Sequence, residues 1–238
     1  MPTERRERER HEMRERIIDA ARRLFVSEGY GHTTIRRIAE EIEYTPGAIY
    51  AYFKDKDAIL YALHVQGFEE LQRRMIGAVH GATDPLDQLG RIGRAYLEFA
   101  RANPELYDLM FIAQSTSRGM QEGTWPEGHR TYDVLRQIVQ AGLDGGWLRG
   151  DSAETVSFLL WSAVHGMASL EIRDRCVVLA EACRDTVHED AYALMLQMLA
   201  LPRTSPGHVE VAAAAAEMEP SPPDGPDRPR RRRAAPEM

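Results

Sequence analysis

"TTIRRIAEEIEYTPGAIYAYFKDKDAIL", residues 33–60, decides the fold. It holds two short helical patterns with a tight turn between them. Thr33 or Thr34 offers a hydroxyl cap to the first, which turns Ile35, Ile38, Ala39 and Ile42 inward. Thr45 followed by Pro46 starts the second: the threonine caps, and proline takes the first helical position, where no amide donor is missed. Upstream, "RERIIDAARRLF" from Arg14 sets Ile17, Ile18, Ala21, Leu24 and Phe25 on one face of an amphipathic helix, which Gly29 and Gly31 end. Two short helices behind a supporting one form a helix-turn-helix, whose second member lies in the major groove of DNA.

The residues around that second helix suit the task. Thr45, Pro46, Gly47 and Ala48 are small enough to approach base edges. Tyr50 and Tyr52 follow, and then Lys54 and Lys56, the only lysines in the chain. Hydroxyls and amines at the flanks can bond phosphate, where most protein–DNA hydrogen bonds go. The helix starts at Thr33/Thr34 and at Thr45 also favour phosphate.

Through Thr33, Thr34, Ile38, Ala39, Gly47, Tyr50, Phe53, Lys56 and Leu60, the stretch resembles the DNA-binding domain of the TetR family of bacterial transcriptional regulators. "IIDAARRLFVSEGY" is similar to that family's first helix, so the likeness spans residues 14–60. It implies backbone phosphate contacts for Thr34, Tyr50, Tyr52, Lys54 and Lys56, and base contacts for Thr45, Pro46, Gly47 and Ala48. Arg36 or Arg37 would reach backbone or base edges, while Ile49 and Phe53 pack inward. Two positions depart from the pattern. Glu43 stands where the family has a turn glycine, and it is less comfortable at positive φ. Tyr52 replaces a histidine and can still donate to phosphate.

Composition agrees with a DNA-binding head on a different kind of body. The 238 residues carry net charge −7 and are 43% hydrophobic. Residues 1–56 hold twelve Arg/Lys against eleven Asp/Glu, a net +1, which leaves −8 for the remainder. The start, "TERRERERHEMRER", reads as an arm for the minor groove or as an exposed helical extension laced by Glu–Arg pairs. It lacks the apolar stretch of a secretory signal, and no apolar run approaches the roughly 20 residues that span a bilayer. The expected location is the cytoplasm.

Helical pattern continues to about residue 202 and no strand alternation is convincing, so the expected fold is all-α. The expected division is a charged extension 1–13, a reading head 14–60, a helical body 61–202 and a disordered tail 203–238. Asn103 and the "DSAE" of residues 151–154 read as helix caps. Cys176 and Cys183, if they share one helix, lie about 10 Å apart along it and cannot bridge.

One reading helix buries little DNA, so the protein is expected to work as a two-fold homodimer on a (pseudo)palindromic operator of double-stranded DNA. Thr155–Ile172 and His188–Leu201 are the candidate interface helices, with Val156, Leu159, Leu160, Val164, Met195, Leu196, Met198 and Leu199. "WSAVHG" with "NPELYDLMF" resembles a subgroup of the family with a Trp…His-Gly signature in the C-terminal domain. The family likeness implies a cavity among the middle helices for a small hydrophobic or aromatic effector. Its candidate lining is Tyr96, Phe99, Tyr107, Met110, Phe111, Gln114, Trp125, Tyr132 and Trp161. Aromatic and Met positions at helical spacing are more often core than pocket.

Nucleophile elbows, P-loops, H-E-x-x-H pairs and paired-cysteine zinc spacings are missing, so neither catalysis nor a metal or cofactor is expected. A ligand-responsive regulator, with repression favoured, is the leading reading. Its rivals are a constitutive architectural DNA-binding protein and one whose "RPRRRR" tail, residues 228–233, dominates binding to nucleic acid.

Overall fold

The structure, a computed structural model, describes residues 2–112 and 126–202. Nine α-helices carry the described residues: α1 Pro2–Ser27, α2 Ile35–Glu41, α3 Pro46–Tyr50, α4 Lys56–Ala78, α5 Pro85–Ala102, α6 Pro104–Tyr107, α7 Pro126–Asp144, α8 Ala153–Ile172 and α9 Val187–Leu199. A π-helical turn, Asp108–Ile112, continues α6. The sole extended pairing among the described residues is an isolated bridge between Leu148 and Ala200. The tail lies outside the described residues.

The charged start is helical and continuous with the first amphipathic segment. Its side chains are exposed, and Arg5 bonds Glu9 one turn away at 2.7 Å. The segment has the form of the exposed helical extension. Gly29 ends the connection at φ +81°, a left-handed value glycine takes without a Cβ penalty. The buried Thr33 hydroxyl then donates to the carbonyls of Leu24 and Gly29, tying the turn to α1.

Capping follows the sequence in most places. Thr34, Thr45, Asp55 and Asp84 each accept a backbone N–H three residues on. Two expectations are corrected. Asn103 makes no cap for α6; its amide donates backward to the Phe99 carbonyl, closing α5 instead. Ser152, not Asp151, caps α8 by accepting from Thr155 N–H. The cysteines do not share a helix either, since they occupy separate 3-10 turns, Arg175–Val178 and Glu181–Cys183, and both thiols are free.

Two hydrophobic cores form. Ile17, Ile18, Leu24, Phe25, Ile38, Ile42, Ile49 and Phe53 close the first around α1–α3. Phe68, Leu71, Leu89, Phe99, Val139 and Leu160 belong to the second, which fills α4–α9. Helix α4 serves both, since Ile59, Leu60 and Leu63 lie in the first and Phe68, Leu71 and Met75 in the second. The π turn also bridges them. Leu109 packs into the first core while its neighbour Met110 belongs to the second.

Candidate DNA-reading face and ligand cavity

Helix α3 has one buried face and one free one. Ile49 is fully buried and Phe53 nearly so, whereas Tyr50 is 57% exposed. Thr45, Pro46 and Gly47 are exposed at the leading end and Ala48 follows them. Tyr52 is half-buried against the first core, and Lys54 is free on the surface with Asp55 3.7 Å away. The guanidinium of Arg14 stacks 4.3 Å from the Phe53 ring centre, fixing α3 from below. Thr34, at the start of α2, is exposed as well.

Two of the expected DNA contacts are occupied within the protein. The Lys56 amine donates to the carbonyls of Tyr30 at 2.6 Å and Thr33 at 2.9 Å, and sits 4.1 Å over the Tyr30 ring. Burial lowers its pKa. It braces the α1–α2 turn against α4, which leaves at most one amine proton for phosphate. Arg37 is held by Glu28 at 2.9 Å and Glu41 at 3.2 Å, and the Glu28 hydrogen bond raises its pKa. Arg36 pairs only with Glu40, one turn on, and stays exposed. Sequence periodicity placed both arginines outward but could not show that acidic partners claim Arg37 more fully.

The turn between α2 and α3 keeps a glycine's geometry without a glycine. Glu43 has φ +61°, so its Cβ bears the left-handed strain, on the order of 1 kcal/mol. The Tyr44 amide nevertheless reaches back to the Ala39 carbonyl at 2.9 Å.

The body holds a half-open cavity of about 230 Å³ between α4, α5, α7, α8 and α9. Of the candidate lining residues, Tyr96, Phe111, Tyr132 and Trp161 border it. Phe99, Tyr107 and Met110 do not: they are packed into the solid core, because their helix faces meet other side chains and not the void. Gln114 and Trp125 lie outside the described residues. Sequence reading missed Phe68, Leu71, Leu135, Phe158, Val164 and Tyr192 as wall residues. Nothing in their spacing separates the wall of a void from a filled core. Gly93 belongs to the wall for a steric reason, since an added Cβ would meet the Tyr192 ring at 2.1 Å.

Beside the cavity lies a knot of buried polar atoms. The hydroxyls of Tyr96 and Tyr107 are 3.1 Å apart, and His165 Nδ1 is 3.2 Å from the first and 2.7 Å from the second. Burial pushes the Tyr107 hydroxyl up to about 12 and raises that of Tyr96, while it lowers His165 and favours the neutral ring. The Trp…His spacing of the sequence thus places Trp161 in the wall and His165 in the knot.

On the outer side of α8 and α9, Phe158, Leu159, Leu170, Leu194 and Met198 are exposed, while Val156, Leu160, Val164 and Leu196 turn into the protein's own core. Only part of the apolar surface expected for a dimer is therefore free.

A helix-turn-helix with a polar reading face, on a helical body with an apolar cavity, defines a DNA-binding transcriptional regulator. Residues 17–63 match the bacterial regulatory proteins of the tetR family, and residues 89–189 match the tetracyclin repressor-like C-terminal domain. The chain belongs to the TetR family. The HTH-type transcriptional repressor Rv1474c of Mycobacterium tuberculosis is 32% identical over 133 residues, 54% of this chain and 67% of that protein. The regulator HbdR of Aromatoleum sp. strain CIB is 28% identical over 158 residues, 66% of this chain and 69% of its own. The fold agrees with a tetR-family regulatory protein from Rhodococcus RHA1, at 22% identity, with 80% of this chain and 98% of that one covered and a TM-score of 0.64. Among the described residues, no helix is long and apolar enough to cross a membrane.

Proposed function

We propose that the protein is a cytoplasmic, non-catalytic, homodimeric repressor whose DNA affinity falls when a small apolar effector occupies the body. The observation that carries this reading is the pairing of a free reading face on α3 with an apolar cavity, through the two elements that belong to both cores. Helix α4 runs from the head into the cavity wall, where Phe68, Leu71 and Met75 stand. The π turn sets Leu109 in the head's core and Phe111 in the wall. A ligand acts only through its different affinity for two states, and elements shared in this way give the states a route to differ.

In this reading Thr45, Pro46, Gly47 and Ala48 meet base edges, and Thr34, Tyr50, Tyr52, Lys54 and Arg36 meet phosphate. The exposed faces of α8 and α9 cover each other in the dimer, so two reading helices address half-sites about one helical turn apart or a multiple of it. Residues 14–60 act as the head and 61–202 as the body. Lys56 and Arg37 hold the head's shape as well as lying near the DNA.

The test is a gel shift at fixed, near-physiological salt. It uses DNA from upstream of the protein's own gene and its neighbours, with competitor DNA and a Tyr50→Ala/Lys54→Ala variant alongside. A discrete, competitor-resistant complex that the variant loses is the expected result. A smear indifferent to both sequence and variant supports an architectural protein instead.

A further inference from the structure

We propose that the effector is a compact neutral molecule, largely apolar and carrying one hydroxyl, and that Tyr96 is the residue that reads this hydroxyl. The inference rests on the reading of the cavity as an effector site and names the chemistry it selects.

Size and charge restrict the ligand first. At about 230 Å³ the cavity is smaller than many drug-sized pockets, so the part of the ligand that it holds has one or two rings or an equivalent chain. Glu154 is the only charged side chain among its described walls, and its carboxylate accepts from the Tyr132 hydroxyl at 3.2 Å. No arginine or lysine lines the space among the described residues. A carboxylate or phosphate inside would find one imidazole, His129, and no guanidinium or amine among the described walls, with the like charge of Glu154 beside it, a costly arrangement.

Counting protons around the knot then selects the polar group. A phenol oxygen offers one donor and two acceptor positions. Tyr107 spends positions on Tyr96 and His165. Of the three knot residues, only Tyr96 lines the cavity. It shares one proton with its partners inside the knot. At least one position on its oxygen therefore remains.

The tautomer of His165 decides the kind of position. If Nδ1 accepts, Tyr107 donates to it at 2.7 Å and Tyr96 donates to Tyr107, which leaves an acceptor on Tyr96. If Nδ1 carries the proton, the chain reverses and Tyr96 keeps a free donor. A hydroxyl both donates and accepts, so it satisfies Tyr96 in either case. A ketone, an ether or an amine proton satisfies only one. The knot joins α5, α6 and α8, so filling that position ties together helices that form the cavity and its link to the head.

The experiment titrates the full-length protein by calorimetry, with thermal shift in parallel, at pH 7.5. The probes are 2-naphthol, 2-fluoronaphthalene and 2-naphthoate. Naphthol is expected to bind about ten-fold more tightly than either of the others, and in Tyr96→Phe its advantage over fluoronaphthalene is expected to shrink to about two-fold. Naphthoate matching naphthol, or an unchanged naphthol preference in Tyr96→Phe, overturns the proposal. Binding of fluoronaphthalene with no preference for naphthol also overturns it while leaving the cavity reading intact. Failure of all three probes to bind overturns both. Should Tyr96→Phe melt early, the three probes on the unaltered protein still decide.

Discussion

The head closes on a solid apolar core and keeps most of its polar chemistry outside, whereas the body buries several tyrosine hydroxyls and leaves space within. Ile17, Ile38, Ile49 and Ile59 are fully buried in the first core, while Tyr50, Lys54 and Arg36 face solvent. In the second core Tyr96, Tyr107 and Tyr192 lie inside, and the Tyr192 hydroxyl is satisfied only by the Leu89 carbonyl at 3.1 Å. The difference fits the proposed roles. A platform for a duplex can be packed solid, whereas a site for a small molecule must give up packing around it. Each 100 Å³ of void forfeits on the order of 2 kcal/mol of packing.

Truncation tests the contrast most strongly. Phe53→Ala removes a ring that is 3% exposed and sandwiched between the first core and Arg14. It is expected to cost about 4 kcal/mol in urea unfolding and to abolish the DNA complex. Leu135→Ala, in the cavity wall, already lacks partners on one side and is expected to cost about 2 kcal/mol or less. Equal costs for the two variants would erase the proposed distinction between a solid head and a perforated body.

Acidification is next in size. Burial drives the pKa of His64 on α4 down to about 4, against the opposing pull of Glu127. The unfolded chain binds this proton near pH 6.5 and the folded chain does not, so His64 adds stability above that range and withdraws it as pH falls from about 6.5 to 4. The expected loss is up to about 3 kcal/mol. Denaturant midpoints across this range should flatten in His64→Leu, and an unaltered slope would place the titrating group elsewhere.

Lys54→Ala should weaken the operator complex by roughly 1 kcal/mol and reduce the slope of log affinity against log salt by about one ion. It should leave thermal stability unchanged, since its amine is exposed. Lys56→Ala is expected to do the reverse, lowering the melting temperature first, because its amine holds two carbonyls. The smallest effect belongs to Glu43→Gly. Relief of the φ +61° backbone should add about 1 kcal/mol or less, and a loss of stability there would mean that the side chain compensates its strain.

The head was legible because its information is local. Capping threonines, the Thr45-Pro46 start and the 3.6-residue spacing of Ile35, Ile38, Ala39 and Ile42 act within a few residues of one another. The role of Lys56 was not legible, because its partners at Tyr30 and Thr33 meet it only when α4 folds back on the turn. In the body, Tyr96, Phe111, Tyr132 and Trp161 line the void, yet Phe99, Tyr107 and Met110, equally apolar in pattern, do not. Asn103 and Ser152 show the same limit at smaller scale, since the right residue types sat at helix ends but the pairing went elsewhere.

By itself, then, the sequence determined an all-helical chain with a helix-turn-helix at its start, because apolar periodicity and capping are local consequences of side-chain chemistry. Tertiary structure alone decided where packing stops and a cavity begins. It also decided which of two neighbouring tyrosines faces that cavity, and which cations remain free for DNA. Those outcomes depend on distances between residues far apart in the chain, and no periodicity along a single helix encodes them.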